Sequence, residues 1–496
     1  MKNSSSRIFA RLSVKSLSSQ RHFWVCVSTV VYSVILICRV WGAHRFLHYE
    51  ESVMVGSTRS ESLISVWNDF SYGVFIQRFF VEFVSLWDLE WTPKLSVAFA
   101  VIIWLGCCLY LRFLLVRGGS GIFPAFLAPL ALCLLPLPEI AYIGILATIG
   151  LPLSALLVAL IATPFASRSR PLRVLELGTI FIIAMSTPTA LVAVPIPLVW
   201  LALNDDQRRL NFQRLLAIII GALISFFVYQ VQDPTMSYLT DWKPTETYER
   251  EVLSRLSESG SFEVRARANV GLGELVTNLP GSIRFVITQM YPEPWASRAI
   301  LETKGSAKLL QVVVPIFLVI LCVLFIRRTR KPPVSRTIIE LAFGLFLGSA
   351  FAVLVQHVLV GQLTLRQYLF LPVTLFWMAI LLLFGGAVVS RSGRAICLLL
   401  PLVVVFVFAA SQNFRDPFQE NPRQGGMGRY ASHEVWRPAL EVARKKCSKL
   451  TDETIVVVTQ VDANDPKIKN LISTSGLKLA WFDHPFVAKC GVIKKG

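Results

Sequence analysis

Charged side chains are scarce in this sequence. They make up 16% of its 496 residues, where a soluble domain carries about 25%. Acids are the rarer sign, 31 against 49 basic residues. Histidine occurs six times, and no C-x-x-C pair or His-rich cluster is present, so a zinc site has no support. The absence of G-x-x-x-x-G-K-[ST] leaves ATP hydrolysis by a P-loop unsupported. Neither G-x-S-x-G nor H-E-x-x-H occurs, which removes the common hydrolase signatures. No internal repeat of the kind found in many secondary transporters is visible.

What fills the sequence instead is apolar: 54% of the residues are hydrophobic. Apolar stretches of about 17–25 residues recur along most of the chain, the length needed to cross a bilayer. Hydrocarbon offers no water to backbone groups, so such stretches must be helices or closed barrels. The runs are apolar on all sides and lack the period-two alternation of barrel strands. They therefore predict a polytopic all-α membrane protein.

Hydropathy places spans at 23–43, 95–116, 122–137, 140–164, 174–185, 189–203, 215–231, 309–326, 337–360, 368–389 and 395–410, about eleven in all. The net charge of +18 invites a nucleic-acid reading. The basic residues fall instead in short loops between spans, the positive-inside pattern, and nucleic acid is rejected as a partner. A Ser-rich basic start precedes a first run long enough to span, so it reads as an uncleaved helix with a cytoplasmic N-terminus. Alternating sides from there puts each Arg-dense loop inside. The long polar segments 45–94, 232–308 and 412–496 fall outside. Residues 1–411 form the membrane domain of a multi-pass cytoplasmic-membrane protein with an extracytoplasmic C-terminus. The pair of runs around Ser186-Thr187-Pro188 reads either as one kinked helix or as a hairpin of two, because proline breaks the helical ladder.

The first outer segment carries Leu63, Val66, Trp67, Phe70, Phe79, Phe80 and Phe83 at spacings that suit amphipathic helices on the bilayer surface. The tail, 412–496, reads as a small α/β module. Helical spacing covers 436–446 and 465–473, and strands are expected at Thr454–Thr459 and near Leu477–Phe482. Seven of the nine cysteines lie in apolar runs and read as packing residues. Cys447 and Cys490 lie in the tail, on the oxidising side, and read either as a disulfide or as two free thiols.

Charges near the outer rim are informative because each costs free energy beside lipid. Glu50 and Glu51 follow the first span; they are either solvated or a general base whose pKa is raised at a low-dielectric surface. Asp69 and Tyr72 share a face by i, i+3 spacing if helical. Arg78 is either an anion-binding group or a side chain snorkelling to lipid phosphate. Glu139, in Pro138-Glu139, sits between two apolar runs and faces either a protein cavity or a hydrated turn. Arg366 and Tyr368 open the tenth span, near Gln356 and His357. They form a second anion site or an interfacial anchor.

The order and sidedness of these features resemble the GT-C superfamily of membrane glycosyltransferases, closest to poorly characterised bacterial members. The resemblance rests on outward acids after the first span and a long first loop of amphipathic helices. It rests also on Tyr72-Gly73 with Arg78, Pro138-Glu139, Ser186-Thr187-Pro188 with Pro195, and Arg366-x-Tyr368-x-x-x-Pro372. It covers most of the membrane portion and is weaker over the tail. The sequence departs from the pattern in carrying Glu50-Glu51 where an Asp is common, and in lacking an Asn and Trp after Pro138-Glu139. The resemblance implies an inverting transfer of a hexose or pentose from a polyprenyl-phosphate donor to an envelope glycan or lipid on the outer face. Glu51, Glu50 and Asp69 would be catalytic, and Arg78, Arg366 and Tyr368 would bind the donor phosphate. Tyr72, Glu139 and His357 would line the cavity. A divalent cation is an optional cofactor at Asp69, and membrane lipids are further partners. A transporter or flippase for a lipid-linked glycan, or a non-catalytic assembly subunit, are the alternatives.

Overall fold

The computed structural model describes residues 22–38, 75–134, 149–162, 170–187, 193–203, 208–231, 242–261, 335–360, 366–413, 434–461 and 485–495, with isolated positions such as Ser52. It is mostly helical with one small sheet. In chain order the helices are α1 (His22–Cys38), α2 (Phe75–Ser85), α3 (Thr92–Arg117), α4 (Ile122–Leu127), α5 (Leu130–Leu134), α6 (Gly150–Ala162), α7 (Arg170–Ser186), α8 (Pro195–Leu203) and α9 (Arg208–Val231). They continue as α10 (Thr247–Ser261), α11 (Arg336–Val360), α12 (Arg366–Val389), α13 (Gly393–Asn413), α14 (Trp436–Cys447) and α15 (Cys490–Lys495). Strands β1 (Ile455–Val458) and β2 (Phe486–Lys489) separate the last two.

Two stretches, Leu89–Arg117 and Leu371–Val389, are long and apolar enough to cross a membrane. Shorter apolar helices cover His22–Cys38, Ile122–Leu134, Gly150–Ala162 and Gly393–Val404. The hydropathy count of spans is larger than these helices establish, and the expected span 309–326 lies outside the described residues. The expected span 122–137 is divided at Ala128-Pro129 into α4 and α5; Pro129 has no N–H to continue the ladder. α7 ends at Ser186 and α8 begins at Pro195, and residues 188–192 between them lie outside the described residues.

Burial runs opposite to charge. In α12 Leu371, Leu375, Trp377, Met378 and Leu382 are buried, and α6 is buried along nearly its whole length. Helices apolar all round belong at a core. Around them, Val30, Val34, Ile102, Phe113, Val174, Leu175, Leu223, Val404 and Val407 are exposed. Such an apolar exterior is an aggregation liability in water and suits hydrocarbon. Small residues bring the helices close. An added Cβ at Gly344 would lie 2.8 Å from Ala162 Cβ, and one at Gly348 would lie 2.6 Å from Val158. This is the small-x-x-x-small packing by which spans associate where no hydrophobic drive exists between them. Ser349 Oγ donates to the Pro372 carbonyl at 2.7 Å, tying α11 to α12.

The tail forms a layered unit. β1 and β2 pair antiparallel, with Ile455 opposite Lys489 and Val458 opposite Phe486. The strand partner of β1 is Phe486–Lys489, and the strand expected near 477–482 lies outside the described residues. On α14, Trp436, Leu440, Ala443 and Cys447 are buried at helical spacing. They join a core that includes Val456, Val458 and Ile493, and a disulfide joins Cys447 to Cys490. The alternate residues Ile455 and Val457 pack with Trp242 and Val252, as period two requires of a strand buried on both faces. Trp436 Nε1 donates to the Leu89 carbonyl at 2.7 Å, and Arg444 Nη1 bonds Glu90. Lys446 lies 3.9 Å from Glu249, and Ser52 Oγ donates to Pro485 O at 2.9 Å. Parts of the three polar segments, 45–94, 232–308 and 412–496, therefore meet in one place.

Candidate functional site

Helix α2 is amphipathic in an inverted sense. Its buried residues are Gln77, Arg78, Val81 and Val84, while Phe79 and Phe83 are exposed. In water this orientation would waste the phenylalanines and strand the polar groups. Beside lipid it is the favourable choice. Phe80 and Phe83 also pack on Phe99 of α3, which fixes the rotation of the helix.

The inward face meets the ends of two other helices. Ile76 N donates to Ser186 Oγ at 3.2 Å. Ser186 Oγ itself donates to Ile182 O at 2.7 Å, and Ser154 Oγ donates to Gly150 O at the same distance. Ser154 Oγ and Thr187 Oγ1 lie 3.5 Å apart. A Cβ placed on Gly150 would come within 2.7 Å of Gln77 Nε2 and 3.6 Å of Thr187 Cβ. Gln77, Thr187, Gly150 and Ser154 therefore form one polar nest, walled by α2, α6 and α7.

Arg78 is 2% exposed, its guanidinium turned into the protein. Its Nε lies 3.6 Å from Glu82 Oε1, one turn along the same helix. That is an ionic contact, longer than a charge-assisted hydrogen bond of about 2.7–2.9 Å. Burial pushes the Glu82 carboxyl above its ordinary range, and the Arg78 charge pulls it back in part. The arrangement holds a cation on the buried side of α2 beside a carboxyl whose proton is held more tightly than usual.

Of the other expected site residues, Glu50, Glu51, Asp69, Tyr72 and Glu139 lie outside the described residues. His357, Arg366 and Tyr368 lie on helices: His357 in α11, Arg366 and Tyr368 in the first turn of α12. Among the described residues no group of three metal-ligating side chains gathers. The sequence pattern sets Gln77 beside Arg78 without giving it a role, and it gives none to Glu82, Gly150 or Ser154. The i, i+4 spacing of Arg78 and Glu82 was a usable signal. The proximity of Gly150 to Gln77 joins separate helices and leaves no trace in local spacing.

The fold and this cluster together define a mostly helical protein with an apolar exterior and a buried basic, hydroxyl-lined site. No family model and no curated protein matches the chain. Two solved structures of an archaeal oligosaccharyltransferase from Archaeoglobus fulgidus are similar to it. One is AglB in complex with an inhibitory peptide and a dolichol-phosphate, at 13% identity and a TM-score of 0.42, over 87% of this chain and 59% of that one. The other is an apo form at 14% identity and a TM-score of 0.41, over 86% and 59%. The chain thus spans 59% of the length of these structures, and at such scores the likeness carries no argument about activity.

Proposed function

We propose that the chain is a multi-pass membrane glycosyltransferase of GT-C type. It transfers a sugar from a polyprenyl-phosphate-linked donor to an envelope glycan or lipid at the outer rim of the bilayer. The observation that supports this most is the burial of Arg78 on the inward face of a helix whose phenylalanines face outward. A cation turned towards the protein on such a helix suits the binding of a lipid phosphate at the bilayer rim.

In this reading the acceptor hydroxyl oxygen attacks the anomeric carbon opposite the phosphate. The bond from that carbon to the phosphate oxygen breaks, and its electron pair leaves with the phosphate. Glu51 or Glu50 takes the hydroxyl proton as general base. Arg78 and Arg366, with Tyr368, stabilise the charge gathering on the phosphate. Attack from the opposite side inverts the anomeric centre. Tyr72, Glu139 and His357 complete the walls, and Asp69 assists or holds a divalent cation. The transporter reading needs charge along a path through the membrane. The buried charged residues of the described spans favour the enzyme instead. Arg112 and Arg214 lie towards the basic ends of α3 and α9, and Glu176, near the middle of α7, is bound in an ion pair with Arg214.

The test is single replacement of Glu50, Glu51, Asp69, Arg78 and Arg366, with transfer of label from a radioactive polyprenyl-phosphate sugar as the readout. Loss of about a hundredfold or more is expected for the base and for Arg78. Full activity in all five variants refutes the assignment.

A further inference from the structure

Gln77 is 3% exposed, and its Oε1 is buried with no hydrogen-bond partner. Buried amides are nearly always satisfied, so an orphan oxygen calls for a ligand or for a purpose. The other end of the amide faces Gly150 of α6. Nε2 lies 2.7 Å from where a Gly150 side chain would begin, a space that only glycine leaves open. The amide sits with its nitrogen towards Gly150 and its oxygen as the acceptor left to a ligand. A carbonyl oxygen is an acceptor alone. An ionised phosphate offers no donor to it and repels it, whereas a hydroxyl satisfies it. The next residue is the buried cation Arg78, and the neighbouring α7 end carries the Ser186 and Thr187 hydroxyls.

Resting on the donor-lipid reading above, we infer that Gln77 is the sugar-reading residue of this site. Its Oε1 accepts a hydrogen bond from a hydroxyl of the lipid-linked sugar while Arg78 takes the phosphate. Gly150 is a positioning residue that sets the amide's place. The cost of the unpaired oxygen in the free protein falls away when a sugar is bound and stays when a bare lipid phosphate is bound. Discrimination between the two lipids follows from that difference.

The experiment uses the full chain in nanodiscs. Its probes are polyprenyl monophosphate and a set of polyprenyl-phosphate lipids bearing one hexose or pentose, and its readout is the ratio of their affinities. Wild type is expected to favour at least one glycosylated lipid over the bare lipid by about tenfold, the scale of one hydrogen bond to a buried group. In Gln77→Met, similar in length but without the acceptor, the ratio collapses to within about twofold of one. Gly150→Ala, which keeps the amide but pushes it aside, lowers the ratio as well; it decides the matter if Gln77→Met fails to fold. A Gln77→Met protein that keeps the wild-type ratio overturns the assignment of the amide and leaves the donor-lipid reading standing. So does a wild type that binds bare and glycosylated lipids alike. A wild type that binds neither class of lipid overturns the proposed function itself.

Discussion

Gly385 and Gly178 both sit inside helices and differ in what lies where a side chain would begin. At Gly385 an added Cβ would fall 2.7 Å from Pro124 Cα and 3.2 Å from Pro124 N. Backbone cannot swing aside, so Gly385→Ala forces α12 away from α4 and is expected to cost about 1–3 kcal/mol. At Gly178 nothing lies within 4 Å. Gly178→Ala is expected to raise stability by about 0.5–1 kcal/mol through helix propensity. Thermal unfolding of the detergent-solubilised protein separates the two, and the opposite order contradicts the packing described. Glu82 gives a pH prediction of definite sign. Its carboxyl titrates higher in the folded protein than in the unfolded chain, mainly through burial. The folded state therefore holds the proton more tightly, and stability is lost as pH rises from the unfolded glutamate value, about 4.3, through the folded one. Glu82→Gln, which cannot ionise, is expected to gain on wild type across that window. A difference in melting midpoint that stays constant with pH contradicts the burial of this carboxyl.

At the scale of elements, the tail is fastened rather than tethered. The disulfide Cys447–Cys490 closes a loop across 43 positions, and its loss from a unit this small is expected to cost about 2–5 kcal/mol. Paired Cys447→Ser and Cys490→Ser replacement should therefore open the tail to limited proteolysis at temperatures where wild type resists. An unchanged cleavage pattern shows that the bond does not support the unit. Trp436 carries the contact with the membrane domain, its ring buried on Phe486 and its N–H on the Leu89 carbonyl. Trp436→Ala is expected to cost about 3–5 kcal/mol and to release α14 along with the grip of Arg444 on Glu90.

These elements also mark how far local pattern reaches. The ends of α3, α11, α12 and α13 fall within a few residues of the apolar runs that announced them, because long apolar periodicity is a strong local signal. The stretch 454–459 was readable as a strand because of its β-branched run. Its partner Phe486–Lys489 is short and is selected by pairing and by the core under α14, while the strand expected near 477–482 lies outside the described residues. Arg78 could be picked out because a lone cation near an apolar run is conspicuous. Gln77 could not, since an uncharged amide looks ordinary until the helices around it are known.

At the scale of the molecule, parts of the polar segments 45–94, 232–308 and 412–496 share contacts, as segments expected on one side of a bilayer can. Glu453 and Ser390 are both exposed. In a background lacking the exposed thiols Cys26, Cys38 and Cys397, Glu453→Cys is expected to react with a membrane-impermeant maleimide added to intact cells. Ser390→Cys, beside Arg391 and Arg394, is expected to react only after permeabilisation. Labelling of both from the same side contradicts the sidedness on which the proposed donor site depends.

The central claim is that a lipid phosphate is held at Arg78, on the inward face of α2. Photo-crosslinking tests it most directly, with a polyprenyl phosphate carrying a photoreactive group next to the phosphate. The account predicts crosslinked peptides that contain 75–85 or 170–187 and a yield that falls about tenfold or more in Arg78→Gln. Crosslinks confined to other segments, with a yield indifferent to Arg78→Gln, contradict it.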